Sequence, residues 1–157
     1  MLSPYRTLPL DRRLALVTHD ITSSPEAREA FIIRLLSKGG GFRRETLRKW
    51  PPTQLAREIV RANLEMPHDE VRLLQALYVE LEPAIQITFL DATGVRHQGG
   101  SIPDDLPPPF ADADAVSRAA RIVADTHGAD GRRYLATIAL YNGDAWPGIE
   151  EAIGALG

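Results

Sequence analysis

The sequence predicts an α+β protein, helical in its first half and built on a small, mostly antiparallel sheet in its second. Three observations lead there. Apolar residues up to Leu81 recur at helical spacing between caps and prolines; two later segments, 84–90 and 134–141, are rich in β-branched and aromatic residues; and turn residues at 91–94 and 142–144 follow them. At 157 residues, 44% hydrophobic and 25% charged, the chain has the size and composition of one ordinary globular domain. We expect a single domain over 1–157, with a helical part at about 9–82 and an α+β part at about 84–157.

The first half justifies its helices one by one. Leu10 to Val17 forms a short helix. Ser23-Ser24-Pro25-Glu26 then supplies a hydroxyl cap, a proline in the first turn and an early acid, followed by Phe31, Ile32, Leu35 and Leu36 on one face. That helix should end near Lys38, where Gly39-Gly40-Gly41 offers a left-handed stop. A nucleotide-phosphate loop would run from a strand into a helix with its lysine after the glycines. Here the order is reversed, so the glycines turn a corner. A short helix from Arg43 ends at Trp50, because Pro51-Pro52 removes two backbone donors, and a new one starts there with Leu55, Ile59, Val60 and Leu64 inward. Asp69 is expected to cap a further helix bearing Val71, Leu74, Leu77, Tyr78 and Leu81, stopped at Glu82-Pro83.

Behind Pro83 the pattern changes. Ala84–Leu90 reads as a strand, Asp91–Gly94 as a turn and Val95–Gln98 as the second arm of a hairpin. Gly99–Phe110, with its proline triplet, is a long surface loop. Asp112 caps a helix through Val116, Ala119, Ala120 and Val123 that Gly128 closes, Tyr134–Tyr141 reads as a buried central strand with a short buried helix as the alternative that periodicity alone does not separate, and Pro147 opens a last helix using Ile149 and Ile153. The resulting order is strand-strand-helix-strand-helix.

Several chemistries are excluded at once. With no cysteine the chain has no disulfide, thiolate nucleophile or cysteine-held metal. Its longest apolar runs fall far below the roughly 20 residues of a membrane span, and Pro4, Pro9 and Asp11 interrupt any secretory leader. A cytoplasmic, soluble protein is expected. Residues 1–65 hold 12 Lys+Arg against 7 Asp+Glu, and residues 66–157 hold 6 against 14. Opposite fields of this kind either neutralise one another or present the basic half to an anionic partner.

The basic half yields one candidate surface. Arg43, Arg44, Arg48, Lys49, Arg57 and Arg61, with Gln54, lie on two short helices over 43–64 joined at a tight corner, an arrangement that resembles helix-turn-helix geometry for DNA. A small hydrolase-like enzyme would place His68, Asp91 and His97 in a cleft between helices and sheet. His19-Asp20 and His68-Asp69 echo the pairs of helical metal phosphohydrolases, but Asp69 is better used as a cap, and no metal site or cofactor is expected. No serine occupies a G-x-S-x-G elbow, and the α+β part has no lysine. The reading that remains is a non-catalytic interaction or regulatory module, an adaptor in a larger assembly, whose partner is another protein or a second copy of itself. DNA binding and hydrolysis are the alternatives.

Overall fold

A computed structural model describes residues 3–157. Among them there is no strand and no sheet, so the α+β expectation is corrected: the fold is all-helical. Eight α-helices follow in order, α1 Leu10–Ser23, α2 Pro25–Ser37, α3 Arg44–Lys49, α4 Pro52–Ala62, α5 Pro67–Ala76, α6 Ala84–Thr93, α7 Ala113–Asn142 and α8 Ile149–Gly154. A π-turn at Leu77–Leu81 extends α5, closed by the Glu82 amide on the Leu77 carbonyl. None of these helices is long and apolar enough to cross a membrane.

The two sheet segments fail for one physical reason. In 84–90 the apolar residues Ile85, Ile87 and Phe89 alternate, which suits a strand, but Ile85, Phe89 and Leu90 are also spaced for one helical face. The helix wins because α6 lays those three buried residues against α7. Gly94, expected in a hairpin turn, is instead the left-handed C-cap of α6 at φ 77°. Val95–His97 has no regular structure, and Gln98 forms an isolated bridge with Ser101. In 134–141, Tyr134, Leu135 and Thr137 are buried while Leu140 and Tyr141 stand exposed, so only one face is inside. A strand buried on both sides is thereby ruled out; the segment is the end of α7.

Gly128 does end the helix that Asp112 begins, for its φ of 59° and ψ of −131° lie outside helical geometry. A second helical segment starts directly after it, so α7 is two helices in series. Gly131 sits at the inside of that bend. A Cβ there would stand 2.5 Å from the Val123 carbonyl oxygen, so only glycine allows the close approach.

Contacts divide the chain into two compact units, Leu8–Leu73 and the remainder, with the division inside α5. In the Leu8–Leu73 unit, α4 packs mainly on α1, and α2 packs on α1, α3 and α4. Leu55, Ala56, Ile59 and Val60 of α4, Leu16, Val17 and Ile21 of α1, Phe31, Ile32 and Leu35 of α2, and Leu47 of α3 are buried. Each large side chain so removed from water contributes about 1.5–3 kcal/mol. Ser24 caps α2 as its sequence implies, accepting the Ala27 amide at 3.1 Å. Asp69 does not act as a cap: it is the third residue of α5, and its carboxylate is taken by arginines.

In the other unit α7 is the central element, covered by α6 and α8. Phe89, Tyr134 and Trp146 form its aromatic centre, with Phe89 edge-on to Tyr134 at 5.6 Å and to Trp146 at 4.8 Å. Burial pushes the Tyr134 hydroxyl far above the usual tyrosine range, since a phenolate would be stranded in this apolar surround.

Candidate functional site

The basic residues of α3 and α4 are spread over a corner that a third helix holds. Arg28 of α2 donates to the Arg48 carbonyl at 3.0 Å and the Trp50 carbonyl at 2.6 Å, satisfying groups that the Pro51-Pro52 break leaves open. Glu29 neutralises part of the surface: its carboxylate pairs with Arg48 at 2.7 Å and lies 3.6 Å from Arg44. The Arg48 hydrogen bond holds the Glu29 carboxyl below its ordinary value. Arg61 lies 3.8 Å from Glu58 of its own helix. Arg43, Lys49 and Arg57 are exposed, and Gln54 is half-buried. Arg57 and Arg61 do share the solvent side of α4, opposite Leu55, Ile59 and Val60, as its helical period requires.

The buried charges of the same unit build a clamp rather than a reactive centre. Arg72 of α5 donates to both oxygens of Asp20 on α1, its Nη2 at 2.7 Å, and its Nη1 reaches Asp69 at 2.8 Å. Arg34 Nε of α2 lies 2.6 Å from the other oxygen of Asp69, an ion pair without hydrogen-bond alignment. The Arg72 guanidinium also lies 5.7 Å from the centre of the Phe31 ring. Three helices are thus joined through two buried carboxylates. Asp20 raises the tendency of Arg72 to stay charged, and Asp69 adds to it.

The hydrolase alternative rested on a cleft between helices and a sheet, and without a sheet that cleft does not exist. Two of its residues do meet. His97 Nε2 lies 2.6 Å from Asp91 Oδ1, but His97 Nδ1 accepts the Gly100 amide at 3.1 Å, which leaves the ring no free nitrogen to take a proton from a substrate. His68 is exposed at the start of α5 in the Leu8–Leu73 unit. His127 of α7 bonds Thr88 of α6 at 3.0 Å. Because the Thr88 hydroxyl spends its proton on the Ala84 carbonyl, His127 Nε2 is the donor. Among the described residues no group of three or more His, Asp or Glu side chains is placed to hold a metal.

What the structure assembles instead is a loop. The α6–α7 connection, residues 94–112, is 19 residues long and is fixed at both ends. At its start Gly100 is held at both of its backbone polar groups, its N–H by His97 and its carbonyl by Gln86 Nε2 of α6 at 2.5 Å. At its end the Phe110 amide donates to the Ala145 carbonyl at 3.0 Å, and the Phe110 ring lies 5.3 Å from that of Trp146. Between these anchors Asp104, Asp105 and Pro107 to Pro109 are exposed, and Arg96 pairs with Asp105 at 3.2 Å. The prolines marked this loop in the sequence; Gln86, Gly100 and Ala145 carry no side-chain signal for their part in holding it.

A concave surface lies beside α7. Ser3, Pro4 and Thr7 face Ala129, Arg132, Arg133, Ala136 and Leu140 across an open, largely apolar groove of about 600 Å³. Comparison with protein-family models, curated proteins and solved structures returns no match.

Proposed function

We propose that this chain is a non-catalytic protein-interaction module that meets its partner through the tip of the α6–α7 loop, residues 102–109. The observation that carries this reading is the loop's construction. Connections longer than about 12–15 residues without secondary structure are uncommon in compact domains and tend to be functional when ordered. This one is ordered by side-chain and aromatic anchors at its two ends, and its middle is left to solvent. Proline rings fix the backbone φ, so an exposed proline run loses little conformational freedom when a partner seats on it. Asp104 adds negative charge beside it, while Asp105 is paired with Arg96. The partner surface that fits is an aromatic-lined protein face with a basic rim.

Photo-cross-linking in cells of the native host tests this. A photoreactive side chain at position 107 is expected to give one discrete protein adduct, lost when Pro107, Pro108 and Pro109 are replaced by serine and competed by a peptide spanning 99–112. The same probe at position 57, on α4, should give none. Adducts from position 57 and none from 107 would refute the loop reading and turn attention to the basic helices.

A further inference from the structure

We infer that His97 is a proton-operated latch on the base of the α6–α7 loop, holding the Gly100 N–H when neutral and releasing it when charged. The assignment follows from donor and acceptor counting. A backbone amide can donate only to a ring nitrogen that has a lone pair, so the Gly100 contact at 3.1 Å requires His97 Nδ1 to be unprotonated. The single ring proton is then on Nε2, directed at Asp91 Oδ1 at 2.6 Å. Gly100 is buried and takes φ 96°, a conformation natural to glycine, with its carbonyl held by Gln86. Gln98 and Ser101 close the turn with two backbone hydrogen bonds, and Gly100 is tied down by two more, at its N–H and at its carbonyl, of which the first needs a neutral imidazole.

Adding a proton changes the two sides of the ring in opposite ways. At Nδ1 an N–H now faces the Gly100 N–H, and the bond between them is lost. At Nε2 the contact with Asp91 becomes an ion pair and the ring stays where it is. Asp91 is the carboxylate facing the ring from α6; Arg96, next in the chain, is directed to Asp105; and His127 of α7 is turned to Thr88 of α6. With the ring retained and the Gly100 N–H let go, charging His97 loosens the loop base without unfolding α6, while Gln86 and the Gln98–Ser101 bonds keep the turn closed. The consequence for a partner rests on the reading that the loop tip is the contact surface.

Nuclear magnetic resonance on the full chain reads the latch directly. At pH 8 the nitrogen shifts of His97 should report the Nε2-protonated tautomer. As His97 is titrated, the exchange of the Gly100 amide, corrected for the pH dependence of chemical exchange, should rise about tenfold, the worth of one net hydrogen bond. An amide in α7 such as Ala120 should not follow. His97→Asn offers an uncharged acceptor near the Nδ1 position and should keep Gly100 protected at every pH. A Gly100 amide indifferent to the titration, an Nδ1-protonated tautomer at pH 8, or an equal response in His97→Asn would each overturn the latch. Cross-linking from position 107, run at pH 8 and pH 5.5, separates the two ideas. Its absence at both, with the amide response intact, overturns the contact-surface reading alone; full cross-linking with an unresponsive amide overturns the latch alone.

Discussion

Replacing Arg72 with alanine should cost much more than replacing its partner Asp20, and the difference measures how the three-helix clamp works. Asp20 and Asp69 are 7% and 3% exposed. Without Arg72 the Asp20 carboxylate loses all of its side-chain partners, and Asp69 is left with Arg34. Stranding one member of a buried pair costs about 3–5 kcal/mol. The Arg72 side chain is itself 41% exposed, so water reaches the vacated site and the cost falls to about 2–3 kcal/mol. Asp20→Ala is milder, because Arg72 keeps Asp69 and its contact with water; about 1 kcal/mol is expected. The double variant should recover about 1–2 kcal/mol relative to the sum of the singles. Urea unfolding followed by circular dichroism gives the three values, and hydrogen exchange of the α1 and α5 amides locates the loss. Equal costs for the two single variants, or a double variant additive to within about 0.5 kcal/mol, would refute the clamp.

Other perturbations test other parts of the fold. Gly128→Ala should destabilise by about 1–3 kcal/mol although its Cβ meets nothing, because the strain is in the backbone; a thermal melt beside Gly143→Ala, where φ is helical, isolates that effect. Phe89→Ala removes the ring shared by Tyr134 and Trp146 and should cost about 3–5 kcal/mol in urea. Alkaline stability follows from Tyr134, whose folded-state ionisation is pushed up by burial. Below about pH 10 the group is protonated in both states and has no effect; above it the unfolded chain ionises first, so folding loses up to about 1.4 kcal/mol per pH unit. Urea midpoints at pH 8 and 11 should therefore diverge, and Tyr134→Phe should narrow the gap.

The helices of the first half were legible because their signals are local. Ser24 and Pro25 start α2 and Pro51-Pro52 separates α3 from α4, while Leu55, Ile59 and Val60 define a face without help from distant residues. Ala84–Leu90 and Tyr134–Tyr141 were not legible, since their β-branched and aromatic residues satisfy two periods at once and only packing on α7 or α6 decides. Of the loop, the sequence shows the prolines, and it offers His97 and Asp91 as candidates for one cleft together with His68. It cannot show that a glycine peptide would occupy the histidine, because a backbone N–H is the same at every residue. The clamp was hidden by separation: Arg72 and Asp20 stand 52 positions apart.

Each compact unit contains one of the two tryptophans, and their surroundings differ. Trp50 is half-buried, edge-on to Phe42, whereas Trp146 is 2% exposed against Phe89 and Phe110. Intrinsic emission from the unlabelled chain is therefore a sum of two distinguishable colours, the longer-wavelength part reachable by a dissolved quencher and the shorter-wavelength part shielded from it. Whichever part shifts when a ligand, a substitution or acid is added tells on which unit it acted.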